Sequence, residues 1–171
     1  MRTTKYLART AMIAALYAAV TLIAAPISFG SVQFRISEAL TVLPLLYVEA
    51  VPGLAIGCLL ANIASTPWDM LFGTTASLLA ALATYFSRRL WIGVWPPIVF
   101  NMFLVPVVFL FMPDFPYPYW FNVLTVGLGQ LGAVLLLGVP LYYGLKKAAR
   151  RGLPVGRPSR PVNGPTKNAL R

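Results

Sequence analysis

Apolar residues fill most of the chain between residues 6 and 145, and short polar breaks divide them into six segments. A helix needs roughly 20 apolar residues to cross the hydrocarbon of a bilayer, so this stretch has room for about six spans. The pattern predicts helices at about 6–25, 38–48, 51–64, 67–86, 96–111 and 119–145. The predicted fold is therefore an all-α, integral membrane six-helix bundle formed by residues 1–145, with no space for a separate soluble domain.

The composition also indicates a membrane protein. Of the 171 residues, 58% are hydrophobic and 11% are charged, and the mean hydropathy is +0.75, whereas soluble domains carry about 25% charged residues. With one cysteine, Cys58, and no histidine, the chain has neither a disulfide framework nor a His/Cys metal cluster, so we expect no metal site and no cofactor. The Gly-rich phosphate loop of ATPases is missing as well, and an enzyme would have to work with isolated carboxylates.

Basic residues predict the orientation of the six segments. If the N-terminus lies in the cytoplasm, thirteen of the fourteen lysines and arginines fall in cytoplasmic segments, as the positive-inside rule requires. Both termini are then cytoplasmic. The exception is Arg35, which falls in the outer loop before the second helix. Because an ionisable residue near membrane hydrocarbon is costly, it often marks a ligand or ion site.

The last segment, residues 146–171, differs from the rest of the chain. It holds eight of the basic residues and four prolines, with almost no large apolar side chains. These features predict a disordered cytoplasmic tail beside anionic membrane lipid. Because most of the net charge of +10 is concentrated in this tail, we do not expect nucleic acid as a partner.

Glu38 has two interpretations. Ser37 and Glu38 suit a helix N-terminus, with the serine as cap and the glutamate stabilised by the helix dipole. Arg35, three residues earlier, favours instead a site in which the arginine pairs with Glu38 or contacts a ligand. The sequence leaves both interpretations open.

A second outer junction opens the fourth helix. Thr66, Pro67 and Asp69 match a capping box, with the threonine as cap and the proline at the first helical position. In a ligand-binding interpretation, Asn62 supplies an amide, Trp68 a flat stacking surface and Asp69 a carboxylate on one outer edge. Trp68 also suits an interfacial anchor, the commoner role of tryptophan at the end of a span.

Small and polar residues inside the predicted spans indicate contacts between helices. Asn101 and Gln130 suit interhelical hydrogen bonds, and Gln130, about 16 Å along its helix at 1.5 Å per residue, is also placed to form the floor of a pocket. Ala11, Ala15 and Ala19 recur at four-residue spacing on the first helix. Small residues on one face let another helix approach closely, so this face is a candidate docking surface for a partner.

Several of these regions resemble the queuosine-precursor transporter (QueT) family. The members of this family are S components, the substrate-binding subunits of energy-coupling factor (ECF) transporters. The similarity rests on residues 32–40 (VQFRISEAL), 50–62 (AVPGLAIGCLLAN) and 69–74 (DMLFGT), with weaker support from 96–101 and 138–141. It covers about residues 7–145 and leaves out the basic tail.

The resemblance implies a multi-pass protein of the bacterial cell membrane that captures a small molecule from outside, in a pocket beneath the outer loops. It implies that the alanine face of the first helix contacts a transmembrane T component. Two separate cytoplasmic ATPases would supply the energy, so the chain itself would not be an enzyme. The position of Gln130 is often a glutamate in the family, and this departure bears on the choice of substrate.

Queuosine precursors are 7-deazaguanines: the 7-aminomethyl and 7-cyano bases, and queuine. A carboxylate can accept both adjacent N–H groups of the guanine edge, an aromatic ring can stack on the base, and a second carboxylate would match the aminomethyl cation. The candidate substrate-binding residues are Arg35, Glu38, Asn62, Trp68, Asp69, Asn101 and Gln130.

Other functions remain open at this stage. An S component for another vitamin or nucleobase would share the fold and differ in its pocket. A membrane enzyme would release an altered product without an ATPase partner, and a structural membrane chaperone would show no saturable binding of a small molecule. A proton-driven secondary transporter would keep its uptake activity when the ATPases are lost.

Overall fold

A computed structural model describes residues 2–25, 34–63, 65–112 and 116–151, and every regular element within these ranges is a helix. The all-α prediction is confirmed. In chain order the helices are α1 (Arg2–Ile23), the 3₁₀ helix α2 (Ile36–Leu45), α3 (Ala50–Asn62), α4 (Pro67–Phe86), α5 (Leu90–Gly93), α6 (Trp95–Leu104, continued as a 3₁₀ turn over Val105–Phe111), α7 (Tyr119–Leu131, continued as a π-helix over Gly132–Gly138) and α8 (Val139–Arg150).

Within the described ranges, four stretches are long and apolar enough to cross a membrane. They are Thr3–Ile23, Pro67–Phe86, Leu90–Phe111 and Tyr119–Arg150. The apolar helices α2 and α3 are shorter than a full span. The protein is therefore a multi-pass helical membrane protein, with two shorter apolar helices among its longer ones.

The helix bounds agree with the predicted ones to different degrees. The fourth predicted helix, 67–86, has the predicted bounds. The fifth was placed too late, since the helical stretch begins at Leu90 rather than at 96. The last continues through Arg150, five residues past the predicted boundary at 145. Residues 152–171 of the predicted tail, and Asp114 in the outer loop, lie outside the described residues.

Close helix packing places α1 against α3. A Cβ atom on Gly57 would lie 2.8 Å from both the Ala14 carbonyl oxygen and Tyr17 Cβ, and one on Gly53 would lie 3.0 Å from Ile13 Cβ. Glycine at both positions thus allows the two backbones to approach, and the contact turns the Tyr17 side chain into the core, where it is fully buried.

The two non-α segments α2 and the π-helical end of α7 pack directly against each other. A Cβ on Gly138 of the π-helix would lie 3.1 Å from the Ala39 carbonyl oxygen of α2, and one on Gly132 would lie 2.8 Å from Phe34 Cε2. In a 3₁₀ helix every third residue shares a face, so α2 aligns Glu38 with Thr41. Both side chains are buried. Since π-helical turns are frequent at functional sites, the polar residues near this contact are candidates for a functional site.

Candidate functional site

Glu38 is the centre of a buried polar cluster. Its side chain is fully buried. The Tyr17 hydroxyl of α1 donates a hydrogen bond to Glu38 Oε1 at 2.5 Å, and the Asn101 amide of α6 donates to Oε2 at 3.2 Å. The second proton of the Asn101 amide goes to the Pro97 carbonyl oxygen at 2.9 Å. One carboxylate thus ties α2 to α1 and α6.

Arg35 adds a positive charge to this cluster. It is 3% exposed, and its guanidinium interacts electrostatically with the carboxylates of both Glu38 and Asp69. Nearby, the Thr21 hydroxyl donates to the Ser37 hydroxyl at 2.6 Å and joins α1 to the start of α2. With Arg35, Glu38 and Asp69 ionised, these three groups carry one net negative charge.

The predicted capping box forms at the start of α4, with Thr66 as the N-cap and Asp69 as its partner. The Asp69 backbone N–H donates to Thr66 Oγ1 at 3.2 Å, and Asp69 Oδ2 accepts from Thr66 Oγ1 at 3.0 Å and from Ser65 Oγ at 2.5 Å. Asn62 Nδ2 donates to the Asp69 carbonyl oxygen at 3.1 Å. A Cβ on Gly73 would lie 2.7 Å from that same Nδ2, so glycine leaves the space that the amide occupies. Asp69 thus forms the capping box of α4 and also interacts electrostatically with Arg35.

Two predicted site residues keep unsatisfied oxygens. Asn62 Oδ1 and Gln130 Oε1 are buried and make no hydrogen bond within the described residues. Leaving such a group unpaired costs about 1–3 kcal/mol, and native proteins rarely leave one without water or a ligand. Phe34 packs over Gly132, two residues beyond Gln130. Both oxygens are available to accept hydrogen bonds from a ligand.

Trp68 and the alanine face lie away from the buried cluster. Trp68 is 41% exposed, and its ring stacks on Phe111 with centroids 4.2 Å apart and planes inclined by 13°. The ring therefore lies at the protein surface, one residue before Asp69. Ala11, Ala15 and Ala19 are all exposed along α1, whereas Tyr17 on the opposite side of that helix faces inward.

Tyr17 is the member of the cluster that the sequence interpretation missed. Its hydroxyl makes a direct bond to Glu38, and it also lies beside the Cys58 thiol. The signal was present, because tyrosines of spanning helices concentrate at the membrane interfaces, while Tyr17 lies well inside the first apolar stretch. A hydroxyl at that depth needs a polar partner.

Comparison with known families identifies the family of this chain. The family model of the QueT transporter matches residues 7–147, most of the chain. The chain belongs to the QueT transporter family. It is a transporter protein and not an enzyme, and the predicted family resemblance is confirmed. No curated protein and no solved structure matches the chain.

Proposed function

We propose that this QueT-family protein is the substrate-binding S component of an ECF-type importer and that it captures a queuosine precursor, a 7-deazaguanine, from outside the cell. The observation that carries the proposal is the buried Glu38 carboxylate. Each of its oxygens accepts one hydrogen bond, from Tyr17 or from Asn101, within the described residues. Since a carboxylate oxygen has two lone pairs, one further acceptor position remains on each oxygen.

Those two positions match the guanine edge. A 7-deazaguanine presents adjacent N–H groups, and a carboxylate that accepts both makes a bidentate, charge-assisted pair, which is the strong kind of hydrogen bond. The unsatisfied Asn62 Oδ1 and Gln130 Oε1 provide further acceptors. In this proposal Arg35 and Asn101 orient Glu38 and contact the base, and the exposed Trp68 forms the outer rim that the ligand passes.

The charge of the cluster favours the aminomethyl precursor. Arg35 balances one of the carboxylates of Glu38 and Asp69 and leaves one net negative charge in a buried site. Buried charges are stable only when paired, so a ligand with one positive charge completes the site. The 7-aminomethyl base carries such a cation and the 7-cyano base does not, which makes the former the preferred substrate.

The proposed topology has six membrane-embedded segments with both termini in the bacterial cytoplasm. Arg9 near the start of α1 bonds Glu49 just before α3, with Nη1 and Oε1 3.2 Å apart. This contact supports placing the start of α1 and the α2–α3 turn at the same face, as the charge pattern predicts. The Asp69 end of α4 then faces outward, together with the entrance of the site.

The proposed partners are a transmembrane T component and two cytoplasmic ATPases. The exposed Ala11, Ala15 and Ala19 support docking through α1, because a smooth helix face allows another helix to pack closely. Tyr17 on the inner side of the same helix bonds Glu38. One helix would thus contact both the substrate site and the partner.

Uptake of a radiolabelled 7-aminomethyl-7-deazaguanine by cells tests the proposal. We expect uptake when this chain is expressed together with the T component and the ATPases, and none when an ATPase is inactivated. Uptake that survives without the ATPases would identify a secondary transporter instead. ATPase-dependent uptake of labelled riboflavin or guanine, with none of the labelled deazaguanine, would identify an S component for another vitamin or nucleobase.

A further inference from the structure

Basic residues outside the buried cluster gather at one end of the bundle. Two of them form the turn between α4 and α5, and four more end α8. We call these six residues the basic end: Arg88, Arg89, Lys146, Lys147, Arg150 and Arg151. All except the half-buried Lys146 are exposed.

The hydrophobic core holds the two parts of the basic end on either side of α2. Leu90, which follows Arg89, belongs to the same core cluster as Leu46 beyond the end of α2 and Tyr142 of α8. Lys146 Nζ lies 5.6 Å from the centroid of the Tyr142 ring. The α4–α5 turn and the last turns of α8 therefore flank the C-terminal end of α2.

No carboxylate of the described residues neutralises the basic end. Glu49 bonds Arg9 with a separation of 3.2 Å, and Glu38 and Asp69 are buried in the polar cluster. Six cations that share one end of a protein repel one another and attract an anionic ligand. The anion must therefore come from outside this part of the chain.

Large apolar side chains surround the α4–α5 turn. Phe86, Trp91, Ile92 and Trp95 are between 53% and 63% exposed. Tryptophan in membrane proteins concentrates at the level of the lipid headgroups, with its ring towards the acyl chains. A ligand that carries a phosphate next to an apolar chain matches both the charges and these rings.

We propose that the basic end binds the headgroup of an anionic phospholipid, with Arg88 and Arg89 on the phosphate and with Trp91 and Trp95 against the upper acyl chains. Inorganic phosphate shares the charge but offers nothing to the aromatic rings. The site differs from the predicted lipid contact of the tail, since it is formed by a short turn and a helix end that adjoin one core cluster. It is also independent of the substrate assignment.

Native mass spectrometry of the full chain tests the site with phosphatidylglycerol and phosphatidylcholine of identical acyl chains. We expect wild type to retain phosphatidylglycerol preferentially. A variant with Arg88→Gln and Arg89→Gln should bind it about 25-fold more weakly, at about fivefold per basic residue near an anionic surface. The charge-matched control, Arg157→Gln with Arg160→Gln in the tail, should keep nearly the wild-type affinity.

Lysine at both positions of the turn distinguishes the loss of positive charge from a defect in folding. Arg88→Lys with Arg89→Lys keeps both cations and should retain the lipid. Equal losses in the glutamine variants of the turn and of the tail would overturn the proposal, as would a lysine variant that loses as much as the glutamine variant. Equal retention of the two lipids by wild type, or displacement of the lipid by millimolar inorganic phosphate, would overturn it too.

Discussion

Glu38→Gln replaces one oxygen of the buried carboxylate with an NH2 group at almost constant volume. The Asn101 amide nitrogen, 3.2 Å from Glu38, can only donate, so the glutamine oxygen stays on that side. The Tyr17 hydroxyl, 2.5 Å from the other oxygen, can reverse and accept from the new NH2 group. A guanine edge then meets one acceptor and one donor where the carboxylate offers two acceptors.

The expected loss of affinity follows from these contacts. One hydrogen bond to a charged group is lost, worth about 1.5–3 kcal/mol, and a buried ligand N–H faces another N–H, which costs about 1–3 kcal/mol more. Together they weaken binding by about 2.5–6 kcal/mol, which is at least about 70-fold. Isothermal titration of the purified protein with 7-aminomethyl-7-deazaguanine measures the change.

Glu49→Gln is the matched control for this substitution. The Glu49 carboxylate pairs with Arg9 at 3.2 Å and, within the described residues, makes no bond to the Glu38 cluster. Its replacement by glutamine should therefore leave the affinity for the ligand unchanged. If Glu38→Gln bound the ligand within about threefold of wild type, Glu38 would not be the acceptor of the guanine edge. Equal weakening by both substitutions would point to a general effect on folding.

Four further substitutions test the packing, the Tyr17 hydrogen bond and the partner surface. Gly57→Ala forces a Cβ to 2.8 Å from the Ala14 carbonyl oxygen and should destabilise the protein by about 1–3 kcal/mol in thermal unfolding. The control Gly144→Ala has nothing within 4 Å of the new Cβ and should stabilise α8 by about 0.5–1 kcal/mol. Equal melting temperatures of the two variants would contradict the close α1–α3 contact. Tyr17→Phe keeps the ring but removes the donor to Glu38, so unfolding should become easier by about 1.5–3 kcal/mol, and an unchanged melting temperature would argue against that bond. Ala15→Trp should block uptake and spare ligand binding, because Ala15 is exposed; loss of binding would show that α1 uses this face internally.

Local signals predicted α4 well. Thr66 and Pro67 mark its start through capping chemistry that acts within one turn, and Ser87 follows its last residue, before an arginine with a left-handed backbone at φ 55°. Such signals need no tertiary context. The bounds of this helix could therefore be read from neighbouring residues alone.

The conformation of α2 could not be predicted in the same way. Residues 36–45 are an apolar run with Pro44 inside, and their pattern suits an α-helix as well as the observed 3₁₀ helix. The choice depends on the fit against the π-helical segment, where Gly138 approaches Ala39. Those two segments are far apart in the chain, so the pattern of either one contains no information on the other.

The candidate site was predicted in its parts and not in its arrangement. Arg35 and Glu38 stood out because charge is rare in this chain. The hydrogen bond between Glu38 and Asn101, 63 residues later, depends on the packing of α6. Tyr17 was missed because an aromatic residue in an apolar run has the pattern of a core residue. Its depth in the first span indicates a polar partner, but which partner depends on the packing of α1 against α2.

The most direct measurement is a titration of the purified protein in detergent with the 7-aminomethyl and 7-cyano deazaguanines and with queuine, using guanine and riboflavin as controls. The account predicts saturable binding of one ligand per chain, tightest for the aminomethyl base, weaker for the cyano base and absent for riboflavin. If none of the three deazaguanines bound, this result would contradict the assignment of the Glu38 cluster as a deazaguanine site.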